Sequence, residues 1–424
     1  MKSANFQDKS LNHHNKRDIC LNSGRLASFF FSSLALTMLF SFFLYFPSPF
    51  EAISRSEIQR KGVNVIKPSE GNSILHCDLF KGHWTRDHNA SLYENSTCST
   101  IPESKNCFLN GRTDKDFLNW RWKPEGCNLP RFDPKIFLDM VRGNKMAFIG
   151  DSVAENQVHS LLCLLSLGEI PKDIYKNEID RNRVWHFSEH DFTLMNLRTN
   201  FLVAGEQRSI NGSLSATYNL HIDKVDKNWI PNLPTTDYVI ISEGHWFFRP
   251  IYLYDGGKII GCVYCNEPNI TNVGVGGAIR LTFRAALAHI NGCKECRGLV
   301  TVVRTFSPAH FENGTWNTGG SCSRTGPLNE SDVNLESEAW EVRKIQIEEA
   351  ERAQKEGEKN GKTFVIMDVT KAMLMRPDAH PGDYWGNHWM KGYRDCVHWC
   401  MPGPIDMWNE FLMAILEIET GLVS

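Results

Sequence analysis

The chain has 424 residues, 42% of them hydrophobic and 22% charged, with a formal net charge of −3. That composition belongs to a globular protein with a sizeable core and excludes a low-complexity or disordered chain. A charge so close to neutral gives no electrostatic reason to expect nucleic acid, so partners must be sought at individual sites.

The first informative segment is residues 26–46, LASFFFSSLALTMLFSFFLYF, a run without a charged residue. It is long enough to cross a bilayer as one helix. Lys2, Lys9, Lys16, Arg17 and Arg25 precede it, which predicts a cytosolic tail over 1–25 by the positive-inside rule. The apolar run exceeds a usual signal-peptide core, and no small-x-small cleavage site follows Phe46 and Pro47. An uncleaved type II anchor is therefore expected, with everything beyond it lumenal. Six N-x-S/T sequons, at Asn89, Asn95, Asn211, Asn269, Asn313 and Asn329, all lie on that side. Of thirteen cysteines only Cys20 precedes the anchor, and the remaining even set reads as a disulfide framework in an oxidising compartment. Spacing alone leaves its connectivity open.

Residues 47–75 are polar and aperiodic, as expected of a stem. Residues 76–132 hold Cys77, Cys98, Cys107 and Cys127 with Trp84, Trp120 and Trp122, which predicts a small, loop-rich, disulfide-tied subdomain. From 133 to 424 the pattern becomes α/β. Buried strands are expected at 145–149, 237–242, 299–303 and 363–369, and helices at 153–165, 278–290, 338–356 and 404–418. Strands alternating with helices predict a mostly parallel sheet covered by helices on both faces.

Two short motifs carry chemistry. Gly150, Asp151 and Ser152 stand between the first core strand and a helix. A serine on such a turn is exposed, and the helix N-terminus favours a developing oxyanion there. The same stretch, Ser152 to Glu155, also fits a capping box, S-x-x-E. Near the C-terminus, Asp395 precedes His398 by three residues. A carboxylate so placed can orient the imidazole, leaving the far nitrogen to take a serine proton. Either motif alone is common; together, at opposite ends of one α/β domain, they predict a Ser152–His398–Asp395 triad. Cys396 and Cys400 bracket His398, so a disulfide there would stiffen the loop.

Several ordered blocks resemble the plant trichome birefringence-like family of cell-wall polysaccharide O-acetylation. They are CDLFKGHW at 77–84, NCFLNGR at 106–112, WRWKP at 120–124, CNLPRF at 127–132 and FIGDS at 148–152. GHW at 244–246, TFSPAHF at 305–311 and DCVHWC at 395–400 complete the series. The resemblance implies an SGNH-like esterase fold in a Golgi type II membrane protein, transferring acetyl groups to a wall glycan through the serine triad. The run Cys163-Leu-Leu165 and the short stem resemble the xyloglucan-acting branch, with mannan or xylan as alternatives. An acetylesterase or a non-catalytic pectin-binding bridging protein are the competing readings. No bound cofactor or metal is expected. Acetyl-CoA, or a multispanning membrane partner that delivers acetyl groups, would be the donor. Two departures stand out: Glu155 occupies the place of the family's usual arginine, and Thr113 that of a proline.

Gly244 and His245 follow a strand end on the same edge as Ser152, which makes them, with Gly150 and Asp151, candidates for the oxyanion or substrate contacts. The CxxC pairs Cys262/Cys265 and Cys293/Cys296 have the outline of a zinc ribbon, but disulfides are expected in a lumenal enzyme. Most of Trp84, Trp120, Trp122, Trp246, Trp385 and Trp389 should be core, with one or two free to stack on sugar. Arg112, Arg121, Lys123 and Arg131 are expected to pair with neighbouring carboxylates, and His310 to be structural.

Overall fold

The apolar run read as the first core strand becomes the middle of the main sheet. The computed structural model describes residues 77–422 apart from 211 and 387–391. The expected anchor at 26–46, the stem, Asn211 and Trp389 lie outside the described residues. Among those described, no helix is long and apolar enough to cross a membrane.

The N-terminal region contributes β1 (Gly82–Arg86) and β2 (Trp120–Pro124), an antiparallel pair. After α1 (Pro134–Met140) come β3 (Lys145–Gly150) and α2 (Ser152–Leu165). Then follow β4 (Lys172–Lys176), β5 (Arg183–Phe187), β6 (Phe192–Arg198), β7 (Val203–Ile210), β8 (Ser213–Val225) and β9 (Tyr238–Ser242). The hairpin β10 (Ile251–Asp255) and β11 (Lys258–Val263) precedes α3 (Gly274–Gly292) and β12 (Val300–Arg304). The chain closes with α4 (Glu338–Gly357), β13 (Thr363–Met367), the short α5 (Thr370–Leu374) and α6 (Asp406–Glu419).

The main sheet has the order β13-β12-β9-β3-β6-β5-β4. Its first five strands are parallel, while β5 and β4 attach antiparallel at one edge. The side-chain period of two sorts the strands into two cores. Met146, Phe148, Ile240 and Val302 face α1, α2, α6 and the N-terminal region. Ala147, Ile149, Ile241 and Val303 face α3 and α4. The second core also receives a separate four-stranded sheet, β11-β10-β8-β7.

The expected strands and helices at 145–149, 237–242, 299–303, 363–369, 153–165, 278–290 and 338–356 are present within a few residues, except that α3 begins four residues earlier. The last helix begins at Asp406 instead of 404, because Pro404 sits in the preceding turn. Nine strands were not expected: β1, β2, β4, β5, β6, β10, β11 and the two of the long hairpin β7–β8. Strand β8, SLSATYNLHIDKV, is largely exposed or half-buried, so it lacks the apolar run that marks a central strand.

Six disulfides link Cys77–Cys127, Cys98–Cys163, Cys107–Cys400, Cys262–Cys265, Cys293–Cys296 and Cys322–Cys396. Both CxxC pairs close on themselves, which removes the zinc-ribbon outline. Cys396 and Cys400 bond to distant partners, one on each side of His398, and not to each other. Cys98–Cys163 and Cys107–Cys400 fasten the N-terminal region to α2 and to the His398 loop.

Candidate active site

Strand β3 delivers its C-terminal end to the site because Gly150 can approach β9 closely. A Cβ at Gly150 would sit 1.8 Å from the Ser242 carbonyl oxygen, so no larger residue fits. The chain then turns into α2. Its N-cap is Asp151, whose Oδ1 accepts the Val153 N–H at 2.8 Å. The capping box from Ser152 to Glu155 is therefore not formed: Ser152 is the first helical residue, and its hydroxyl is not needed as a cap. Glu155 instead pairs with Arg198 at the end of β6, at 3.2 Å. In the whole of α2 only Ser152 and Glu155 are not buried.

The second half of the site is the loop before α6. Asp395 Oδ1 accepts the N–H groups of Val397 (3.1 Å) and His398 (2.9 Å), and its Oδ2 lies 2.8 Å from His398 Nδ1. Burial works to raise the Asp395 carboxyl, but His398 and Lys105 outweigh it and hold the group well below the ordinary carboxylate range. Lys105 Nζ, 3.8 Å from Asp395 Oδ2, comes from the N-terminal region. Burial and the charge of Lys105 push His398 down, against the pull of Asp395. Its Nε2 has no hydrogen-bond partner among the described residues.

The two halves are tied together by Asn156, one turn beyond Ser152 on the same helix face. Its Oδ1 accepts the Trp399 N–H at 2.8 Å, and its Nδ2 donates to the Trp399 carbonyl at 3.4 Å. Trp399 Nε1 donates to Ser307 Oγ at 2.9 Å. The carbonyl of Ser307 contacts His245 Nε2 at 2.8 Å, and His245 Nδ1 lies 3.3 Å from Asp151 Oδ2. Four loop ends, those carrying 151, 245, 307 and 399, thus form one hydrogen-bonded ring behind the serine. His380 braces it from outside, with Nδ1 on the His398 carbonyl at 2.7 Å and its ring stacked on Trp399 at 4.1 Å. His310 Nδ1 lies 2.7 Å from His380 Nε2, so its place is in this brace.

Asp151 and His245 are both engaged in the ring, and neither ring nitrogen of His245 is free. Burial would raise Asp151, but the His245 bonds and Arg198 keep it well below the ordinary range. Gly244 is small because Phe306 fills the space a Cβ would take, at 2.5 Å. Arg112, Arg121 and Arg131 are paired, with Asp114, Glu410 and Asp87 respectively. Trp84 and Trp122 are core, while Trp120, Trp246 and Trp385 are half-buried. Asn89, Asn269, Asn313 and Asn329 are exposed and Asn95 partly so. Among the described residues no group of three or more His, Cys, Asp or Glu is placed to hold a metal. Sequence reasoning missed Lys105, Asn156, Ser307 and His380. Only Asn156 left a local signal, its place four residues after the serine.

A serine at a strand-to-helix turn and an Asp–His pair on a loop, carried by a central parallel sheet, define an esterase-like α/β protein. The chain belongs to the GDSL/SGNH-like acyl-esterase family found in Pmr5 and Cas1p, whose model matches residues 129–415. The Pmr5 N-terminal domain matches residues 75–128. The chain is 56% identical over 402 residues to xyloglucan O-acetyltransferase 4 of Populus trichocarpa, covering 95% of this chain and 94% of that one. It is 53% identical over 404 residues to xyloglucan O-acetyltransferase 2 of Arabidopsis thaliana, covering 95% of both. With the Arabidopsis protein trichome birefringence-like 20 it shares 42% identity over 345 residues, 80% of this chain and 72% of the other.

Proposed function

We propose that this protein is a xyloglucan O-acetyltransferase that works through an acetyl-serine intermediate on Ser152. The observation that carries the reading is the Asp395–His398 pair with a partnerless Nε2, held by Asn156 to the helix that begins at Ser152. Ser152 Oγ attacks the acetyl carbonyl of the donor while His398 Nε2 takes its proton; the donor group leaves with that proton. A glycan hydroxyl then attacks the acetyl-serine, giving its proton to His398, which returns it to Ser152 Oγ as the ester bond breaks. Asp395 keeps the imidazole oriented and stabilises its cationic form. The Ser152 N–H, with groups near Gly150 and Gly244, faces the oxyanion in both steps. Acetyl-CoA or a membrane partner supplies the acetyl group, and the chain is a Golgi type II protein with this domain in the lumen.

The test is mass spectrometry of acetyl transfer by the full-length protein to xyloglucan, mannan and xylan oligosaccharides. Serine-dependent gain on xyloglucan supports the proposal, with Ser152→Ala abolishing it. Net loss of acetate from acetylated xyloglucan with no gain on the bare glycan would make the protein an esterase.

A further inference from the structure

A cavity of about 390 Å³ lies beside Glu155, one helical turn from Ser152. It is within the range of small-ligand pockets, roughly 300–1,000 Å³. One wall is α2, through Glu155 and the buried His159. The facing wall is the loop from Ser99 onward, which the Cys98–Cys163 disulfide fixes to the same helix. Six residues along, that loop brings Lys105 to Asp395. The cavity thus adjoins the site through both Glu155 and the Lys105 loop. Behind this lining lies the buried Trp185, with Arg183 over the ring at 5.0 Å and His159 edge-on at 6.3 Å.

The charges there are paired with one carboxylate in excess, three carboxylates facing two guanidinium groups. Arg183 is ion-paired with Asp173 and, at 3.4 Å, with Asp180; Arg198 is taken by Glu155. Burial holds His159 down to about 3, with Arg183 and Lys105 adding to the effect, so it brings no charge. What is left to a ligand is the apolar surface of Ile101 and Pro102, the hydroxyl of Ser99 and the carboxylates of Glu155 and Asp180, while the Thr100 hydroxyl is turned onto Cys98 Sγ at 3.2 Å. Such a set suits a neutral polyol, whose hydroxyls both donate and accept, and it repels a ligand carboxylate.

We infer that this cavity is an acceptor subsite that holds a neutral glycosyl unit next to the one acetylated, and that it selects against uronic-acid-bearing glycans. This rests on the transfer reading above. It is tested by binding, with full-length Ser152→Ala protein, a neutral xyloglucan oligosaccharide and a glucuronic-acid-substituted xylan oligosaccharide. Ser99→Trp, on an exposed loop, should weaken the neutral ligand at least tenfold without lowering Tm. Asp180→Lys should strengthen the acidic ligand at least fivefold. Unchanged binding in both variants, or equal affinity of the parent for the two ligands, would overturn the subsite. Because binding is read on an inactive protein, a wild type that binds but does not transfer would remove the transfer reading and leave the cavity as a glycan-binding site with no acceptor role. A wild type that transfers, with an unchanged acceptor KM in both variants, would remove the subsite alone.

Discussion

Asn156 grips the backbone of Trp399 through both of that residue's main-chain groups, N–H at 2.8 Å and carbonyl at 3.4 Å. Asn156 shares a helix face with Ser152, and Trp399 follows His398 in the chain. One side chain therefore links the helix of the proposed nucleophile directly to the loop of its proposed base, across a sequence separation of 243.

Asn156→Ala should leave two buried main-chain groups unpaired, at a cost of about 1–3 kcal/mol. The larger effect is expected on kcat, since a displacement of about 1 Å can lower a rate roughly 100-fold. KM should move little. Steady-state kinetics together with Tm decide it: a kcat within twofold of wild type would mean that the pair is structural only.

Lys105 reaches the site from the N-terminal region and lowers His398. The base form of His398 is gained as pH rises through its pKa, so the acid limb of kcat/KM should lie below the ordinary histidine value of about 6.5. Removing the positive charge in Lys105→Met should move that limb upward. A limb that stays put on this substitution would exclude Lys105 from the electrostatics of the base.

Cys107–Cys400 closes a loop with a sequence separation of 293, and Cys322–Cys396 one of 74. Each anchors one side of the His398 loop. Losing either should cost about 2–5 kcal/mol of stability. Activity should fall more steeply than stability on titration with reductant, because the loop carrying His398 loosens before the sheet unfolds. Parallel loss of activity and near-ultraviolet circular dichroism would count against that order.

Glu410 on α6 is buried and 3.6 Å from Arg121; burial pushes its carboxyl up to about 7, with Arg121 pulling the other way. A raised carboxyl favours folding below the unfolded pKa of about 4.3, and that contribution is lost as pH rises through about 7. Stability should accordingly fall between pH 5 and pH 8, by on the order of 3 kcal/mol from this group. Glu410→Gln should flatten the profile in a thermal-melt series across that range. An unaltered slope would show that Glu410 stays ionised in the folded state.

Sequence alone determined the central strands, the helices that alternate with them, the serine turn and the Asp–His spacing. All are local signals: apolar runs at strand length, a helix face at its own period, a carboxylate three residues from an imidazole. The strands from Lys172 to Val225 were missed because half-exposed strands mix polar and apolar residues and carry little of that pattern. The capping-box reading of Ser152 and Glu155 failed because Asp151 is a competing cap one residue earlier, and Arg198 draws Glu155 sideways.

Only the tertiary structure decided how the local pieces meet. Cysteine pairing, the Asn156–Trp399 clamp, the ring through Ser307 and the approach of Lys105 to Asp395 all join residues remote in sequence. No spacing encodes them, because each depends on the order of strands in the sheet and on which loops that order brings to one edge. The residues of the proposed triad can be named from two motifs; the geometry that would let them work as a unit is a property of the packed chain.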